Sequence, residues 1–124
     1  MISRLLDSVI IIDHLNGVKK ASRYLLGLDP EETAISVITR AEIIAGIEEG
    51  EMDVVKALLD QYSLFNIDVH IADLAGTLRK KYGWKLPDAF QAAFCLNHNI
   101  RLITRNTKDF DPKIYDFVDI PYSL

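Results

Sequence analysis

The stretch MISRLLDSVIIIDHL, residues 1–15, decides the fold. It is almost all apolar, yet Asp7 follows Leu5-Leu6 and Asp13 interrupts the second half. Residues 2–6 read as a short strand. Ser8 is placed to cap a short helix that runs to Leu15 and stops at Asn16-Gly17. A buried strand that passes straight into a helix is the opening of an α/β unit. A carboxylate at that joint stands at the rim where such folds gather ligands.

The same alternation continues along the chain. A second helix is expected over 18–28, followed by the turn signal Asp29-Pro30. TAISVI, residues 33–38, is β-branched and apolar and reads as a buried strand. Helices follow over 40–49 and 51–62, and LFNIDV, 64–69, is a third strand. A helix over 71–82 ends at Gly83, and LPDAFQAAFCLNHN supplies another over 87–98. RLIT, 101–104, and DFVDI, 116–120, complete the strands. Strands separated by helices predict one α/β domain over residues 1–124. Its expected form is a three-layer α/β/α sandwich around a central parallel sheet of about five strands.

Composition agrees with this. With 124 residues, 49% hydrophobic and 26% charged, the chain can bury one good core. Two acids break the opening apolar run, so it does not read as a signal peptide. No run reaches the roughly 20 apolar residues that a membrane span needs. A cytoplasmic protein without membrane contact is expected. The only cysteine, Cys95, lies in AFQAAFCLNH and reads as a buried, inert thiol. No Cys/His spacing suggests zinc. A net charge of −4 argues against gripping nucleic acid by basicity alone. It leaves room for an acidic site that binds cations and for a basic partner.

Four acids occupy comparable places. Asp7 follows the first strand, Glu42 opens the helix after the second, Asp88 opens the helix of LPDAFQAAF, and Asp109 follows RLIT within RNTKDF. In a parallel sheet these places share one edge. Four carboxylates there repel one another unless a cation joins them or some stay protonated. Hard oxygen ligands with few imidazoles suit Mg²⁺ or Mn²⁺. Such an ion can acidify a bound water and steady an in-line displacement at phosphorus, which is nuclease or phosphatase chemistry.

Each acid also has a plainer role open to it. Asp7 can cap a helix. Thr39-Arg40-Ala41-Glu42 matches a capping box. Asp88, after Pro87, favours the helix dipole. Asp109 can be an ordinary loop acid. The case for a site rests on their joint placement. Asp13 lies well inside the first helix and is a weaker candidate for the cluster. His14, His70 and His98 are scattered without ligand spacing. Arg79, Lys80, Lys81 and Lys85 surround Gly83-Trp84 ahead of Asp88. A solvated face is their default role, and a phosphate-backbone contact the sharper one. Arg105 and Lys108 flank the expected site and are further candidates for phosphate. Leu25, Leu26, Phe90, Phe94 and Leu96 are expected in the core.

LLDSVIIIDHL, SVITRAEIIAGI, LPDAFQAAFCL and LITRNTKDF occur in that order. Together they closely resemble the PIN-domain proteins, in particular the VapC-like toxins of toxin–antitoxin pairs. The resemblance covers nearly the whole chain. It implies a PIN-like parallel sheet and an endoribonuclease dependent on Mg²⁺ or Mn²⁺, usually a homodimer and silenced by a cognate antitoxin. Its acids fall on Asp7, Glu42 and Asp88. Asp7 and Asp88 would hold the metal most directly, with Glu42 and Asp109 completing the shell and orienting the attacking water. The family often has an acid directly after the threonine-basic pair of the last motif. Here that place is Asn106, and the acid comes at Asp109. The first motif departs as well, with Asp7-Ser8-Val9 where the family reads Asp-Thr-Asn. Apolar surface on the early helices would serve a dimer or the antitoxin.

Two other readings stand beside it. A signalling receiver domain also clusters acids around Mg²⁺, but it needs an acidic pair after the first strand and a lysine after the last. Asp7 has no acidic neighbour, and the chain ends in PYSL. A non-catalytic interaction module of the same fold is favoured by Val9 and Asn106. Divalent-dependent RNA cleavage, lost in Asp7→Asn, separates it from the nuclease.

Overall fold

Leu5 and Leu6 are both fully buried, yet they point to opposite faces of one sheet and each enters a core of its own. The computed structural model describes residues 1–124. The strands are β1 (Arg4–Leu6), β2 (Thr33–Ser36), β3 (Ser63–Phe65), β4 (Arg101–Ile103) and β5 (Val118–Asp119). The helices are α1 (Ser8–Leu15), α2 (Lys19–Leu26), α3 (Val37–Gly46), α4 (Met52–Leu59), α5 (Val69–Tyr82) and α6 (Leu86–His98). Single 3₁₀ turns at Pro30–Glu32 and Glu49–Glu51 lead into β2 and α4.

All strand pairs are parallel, in the order β3-β2-β1-β4-β5. This is the expected three-layer arrangement with a five-stranded parallel sheet. The register sets Leu5 beside Ala34 and Leu102, and Leu6 beside Ile103. The first row packs under α5 and α6 with Ala92, Phe94 and Phe110. The second packs under α1 to α4 with Ile10, Ile43 and Leu59. Strands buried on both faces need adjacent apolar residues, which Leu5-Leu6 and Ala34-Ile35 supply. Each fully buried leucine contributes about 1.5–3 kcal/mol. No helix is long and apolar enough to cross a membrane.

The chain leaves β1 toward β2 and β3 on one side, and later returns to build β4 and β5 on the other. The switch point therefore lies between β1 and β4. In open α/β sheets that crevice, at the carboxyl ends of the strands, is where ligands bind.

The second strand ends earlier than its β-branched sequence predicts. Val37 and Ile38, expected as strand, form the first turn of α3. Ser36 is the cause: its Oγ accepts the Thr39 amide hydrogen at 3.1 Å and caps the helix there. The capping box expected from Thr39 to Glu42 therefore does not form, and Glu42 stands in the second turn of α3 instead of opening it. At the start of α1 two caps were open, Asp7 and Ser8, and the structure takes the first. Asp7 caps the helix and Ser8 is its first residue. Leu26 and Leu96, expected in the core, are exposed at 86% and 46%, because each lies on the outward face of its helix.

Candidate active site

Asp7 sits at the switch point. Its amide donates to the Ile103 carbonyl of β4 at 2.9 Å, which holds the residue between the two central strands. Its carboxylate is buried and richly supported. Oδ1 accepts the Ser8 amide at 2.9 Å and Gln91 Nε2 at 3.3 Å, while Oδ2 accepts the Thr104 hydroxyl at 2.7 Å. Helix capping and site formation are thus one role here. The Ser8 amide fixes the carboxylate at the N-terminus of α1, at the position where it is displayed.

Gln91 lies in the middle of α6 and is 1% exposed. Its amide nitrogen also donates to Thr39 Oγ1 at 2.9 Å, and its oxygen accepts from Ser36 Oγ at 2.7 Å. One side chain therefore ties α6 to the start of α3 and to Asp7. No buried side-chain polar atom in the molecule lacks a partner. A low-dielectric network of this kind is rigid only when it is complete.

Asp109 is fixed by a neighbour in its own loop. Asn106 Nδ2 donates to Asp109 Oδ2 at 3.0 Å, and the Asp109 amide donates back to Asn106 Oδ1 at 3.3 Å. Thr104 Oγ1 accepts the Asn106 amide at 3.1 Å, which links this loop to Asp7 through one hydroxyl. Below it, the indole N–H of Trp84 donates to the Asp109 carbonyl at 3.1 Å.

Asp88 lies in the first turn of α6, partly buried. Burial pushes its carboxyl up to about 6, and the charges of Asp7, Asp109 and Glu42 add to the rise, while Lys85 opposes it. The Glu42 carboxyl is also raised, first by burial, against the pull of the Ser8 hydroxyl and with the charge of Asp7 adding. Asp88 therefore senses the other three sequence-predicted acids, and Glu42 senses Asp7. None of them takes part in the three ion pairs of the fold, which are Arg40–Asp60, Arg101–Asp119 and Arg105–Asp13. No salt bridge balances the negative charge of this edge, and Lys85 offsets only part of it. The donors are carboxylate oxygens, a set suited to hard divalent cations. No three acidic or histidine side chains close on a single ion-sized point. Mg²⁺ commonly uses one or two carboxylates and keeps several waters, so the donor set still fits such an ion.

A family model for the PIN domain matches residues 4–112. The chain belongs to the PIN-domain family. Among characterised relatives, Ribonuclease VapC19 of Mycobacterium tuberculosis is 30% identical over 114 residues, 86% of this chain and 91% of that protein. Among solved structures, a chain of a toxin-antitoxin complex from Klebsiella pneumoniae is 36% identical with a TM-score of 0.90. The match covers 98% of this chain and all of that one. VapBC-1 from nontypeable Haemophilus influenzae matches at 27% identity and a TM-score of 0.67, over 92% of this chain and 93% of that one.

Within this PIN domain, the weaker candidate Asp13 is engaged in an ion pair, and the histidines and the cysteine keep the structural places expected of them. Asp13 is paired with Arg105: the guanidinium donates Nε to Oδ2 at 2.8 Å and a second nitrogen to Oδ1 at 2.9 Å. Tyr122 Oη donates to the same carboxylate at 2.8 Å. The Arg105 hydrogen bonds hold the Asp13 carboxyl below its usual range. Arg105, a candidate for phosphate contact, is thus held by Asp13 within the fold. His14 meets Ser22, His70 meets Asn97, and His98 stacks on Phe65. The three histidines do not converge. Cys95 is buried, and burial raises its thiol far above the usual range, so it stays protonated.

Sequence reasoning missed Gln91, Thr104, Ser36 and Thr39 as supports of the PIN-domain site. Gln91 carries the one usable signal: it is the only polar residue in AFQAAFC, and a buried amide needs partners. The three hydroxyl residues look like ordinary strand-end and capping residues.

Proposed function

We propose that this PIN-domain protein is a metal-dependent endoribonuclease, the toxin of a toxin–antitoxin pair. The observation that carries the reading is the Asp88 carboxyl lifted to about 6 among three other acids, with no ion pair to balance any of the four. A protein retains such repulsion at an edge where a cation relieves it. The name of the Mycobacterium relative and the 36% identity to a chain of a toxin-antitoxin complex support the reaction and the setting.

In this reading Asp7 and Asp88 hold Mg²⁺ or Mn²⁺. When bound, the ion acidifies a water and stabilises charge developing on the phosphate. The chain's own residues do the rest. Thr104 and Gln91 fix both oxygens of Asp7, so its orientation needs no rearrangement on binding. Glu42, exposed beside the edge with a raised pKa, orients the attacking water and receives its proton. Asp109 fills the fourth position. Asn106 serves as the group that aims it, which fits the hydrogen bonds between the two. Val9 packs into the core of the α1–α4 face and leaves the site to its neighbours.

The substrate is RNA, and the natural inhibitor is a cognate protein antitoxin. The apolar hollow that Ile12, Leu15, Ile43 and Ile47 line beside Glu42 suits a protein partner, and a homodimer is part of the same proposal. The place of action is the cytoplasm.

The test is calorimetric titration of Mn²⁺ and of Mg²⁺ into wild type and Asp7→Asn, with RNA cleavage assayed in parallel. Binding and cleavage in the wild type, both lost in the variant, are expected. A folded wild type that binds neither ion at millimolar concentration would sink the proposal in favour of a non-catalytic module of the same fold.

A further inference from the structure

The basic end of α5 meets an aromatic surface that the catalytic reading leaves unused. Arg79, Lys80 and Lys81 close the helix, and Gly83 reverses the chain in the left-handed region at φ 76°. Lys85 then caps α6 three residues ahead of Asp88. All four cations are exposed, on a chain whose net charge is −4. Arg79 is partly spent on the Trp84 carbonyl, which it reaches at 2.7 Å. The three lysines make no ion pair.

Tyr82 lies among them, 40% exposed. Its ring stacks on Trp84, with centroids 4.6 Å apart and planes 21° apart, and Tyr115 meets it edge-on at 5.7 Å. Lys81 Nζ lies over the Tyr82 ring, 5.2 Å from its centroid, on an exposed, flexible side chain that an incoming base displaces. Trp84 is itself buried and anchored to the Asp109 carbonyl. The exposed ring is thus a fixed surface, braced by a residue that also braces the acidic edge. A hollow of about 340 Å³ opens beside it, lined by Trp84, Tyr115 and Phe117 and by one acid, Asp116. From Tyr82 to Asp88 the chain spans three loop residues and one helical turn, on the order of 15 Å.

We propose that Tyr82, with Lys80, Lys81 and Lys85, is a shelf for single-stranded RNA that feeds the acidic edge. A base stacks on Tyr82, the lysines meet the phosphates around it, and Lys85 directs the strand toward Asp88. A rigid aromatic face between cations is how single strands are held without reading sequence, because every base has a π-face. A paired duplex cannot offer its bases in this way. The proposal rests on the ribonuclease reading for its substrate class.

The test is binding of a fluorescently labelled single-stranded RNA of about ten nucleotides, followed by anisotropy in chelator without divalent ions. Tyr82→Ala is expected to weaken binding roughly 5- to 100-fold, and Tyr82→Phe to stay within about twofold of wild type. Lys80→Ala with Lys81→Ala should weaken binding and lower the salt slope by about 0.7 for each phosphate that is no longer neutralised. Emission from Trp84, the only tryptophan, should change as wild type binds. Binding unaltered by Tyr82→Ala, equal loss in Tyr82→Phe, or duplex bound as tightly as single strand would each overturn the shelf. A parallel cleavage assay with Mn²⁺ keeps the two proposals apart. Cleavage with KM unmoved by Tyr82→Ala rejects the shelf and leaves the nuclease. Single-strand binding that depends on Tyr82, without any cleavage, rejects the nuclease and leaves the shelf.

Discussion

Thr104 and Asp7 are 97 residues apart in sequence, and the Thr104 hydroxyl donates to Asp7 Oδ2 at 2.7 Å. The same hydroxyl oxygen accepts the Asn106 amide. One buried group therefore aims the central carboxylate and fixes the loop that presents Asp109. Thr104→Val keeps the shape and removes both bonds. It should cost about 1–3 kcal/mol in urea unfolding, from the two buried groups left unpaired. It should also weaken Mn²⁺ binding about 10- to 100-fold by calorimetry, as loss of a ligand's support typically does. Unchanged metal affinity would show that Asp7 is aimed without it.

Gln91→Leu fills the same volume with carbon and takes one hydrogen bond from each of Asp7, Ser36 and Thr39. A loss of about 2–3 kcal/mol is expected in urea unfolding. Because those partners span α1, β2 and α3, hydrogen exchange should rise at the starts of both helices. An effect confined to α6 would contradict the shared network.

Asp88 gives the metal-free protein a pH signature. Its folded pKa is raised from 3.8 to about 6, so the folded state holds the proton more tightly than the unfolded chain does. Stability is greatest below 3.8 for this group and falls as pH rises through the window to about 6. The residue is partly solvated, so the loss should be on the order of 1 kcal/mol. Glu42 is shifted in the same direction and adds to it. Asp88→Asn should therefore raise Tm at neutral pH in chelator and flatten its pH dependence. A lower Tm for that variant would mean that Asp88 is stabilising as a charge.

Asp13 behaves in the opposite sense. Arg105 and Tyr122 hold its folded pKa below 3.8, so its contribution is present above that value and is lost as pH falls through the lowered one. Arg105→Lys keeps the charge but not the two-pronged contact, and a cost of about 1–2 kcal/mol is expected at neutral pH. RNA affinity at matched stability should be unaffected. A selective loss of RNA binding would return Arg105 to the phosphate role that its sequence position suggests.

The sheet and the order of its elements were legible because strand and helix periods differ and because turn signals fall between them. The acids were legible as a set because Asp7 and Asp109 follow strands and Asp88 opens a helix, while Glu42, expected at a helix start, lies one turn further into α3. What sequence did not disclose depends on partners far along the chain. Arg105 looks like a free cation until Asp13 appears beside it from 92 residues away. Ser36 looks like the end of a strand until its hydroxyl takes the Thr39 amide and starts the helix early. Gln91 is visible as an oddity, but its three partners are not.

The strand order has a consequence for the timing of synthesis. β1 emerges first from the ribosome and occupies the centre of the sheet, yet its β4 neighbour begins only at Arg101. Until then Asp7 lacks both the Ile103 carbonyl and the Thr104 hydroxyl that hold it. Chains fold from the N-terminus as they are made, but contacts this distant must wait until β4 has been synthesised. A nascent chain therefore carries Asp7, Glu42 and Asp88 before it can set them, and the edge is completed only once β4 and the loop that bears Asp109 have been made.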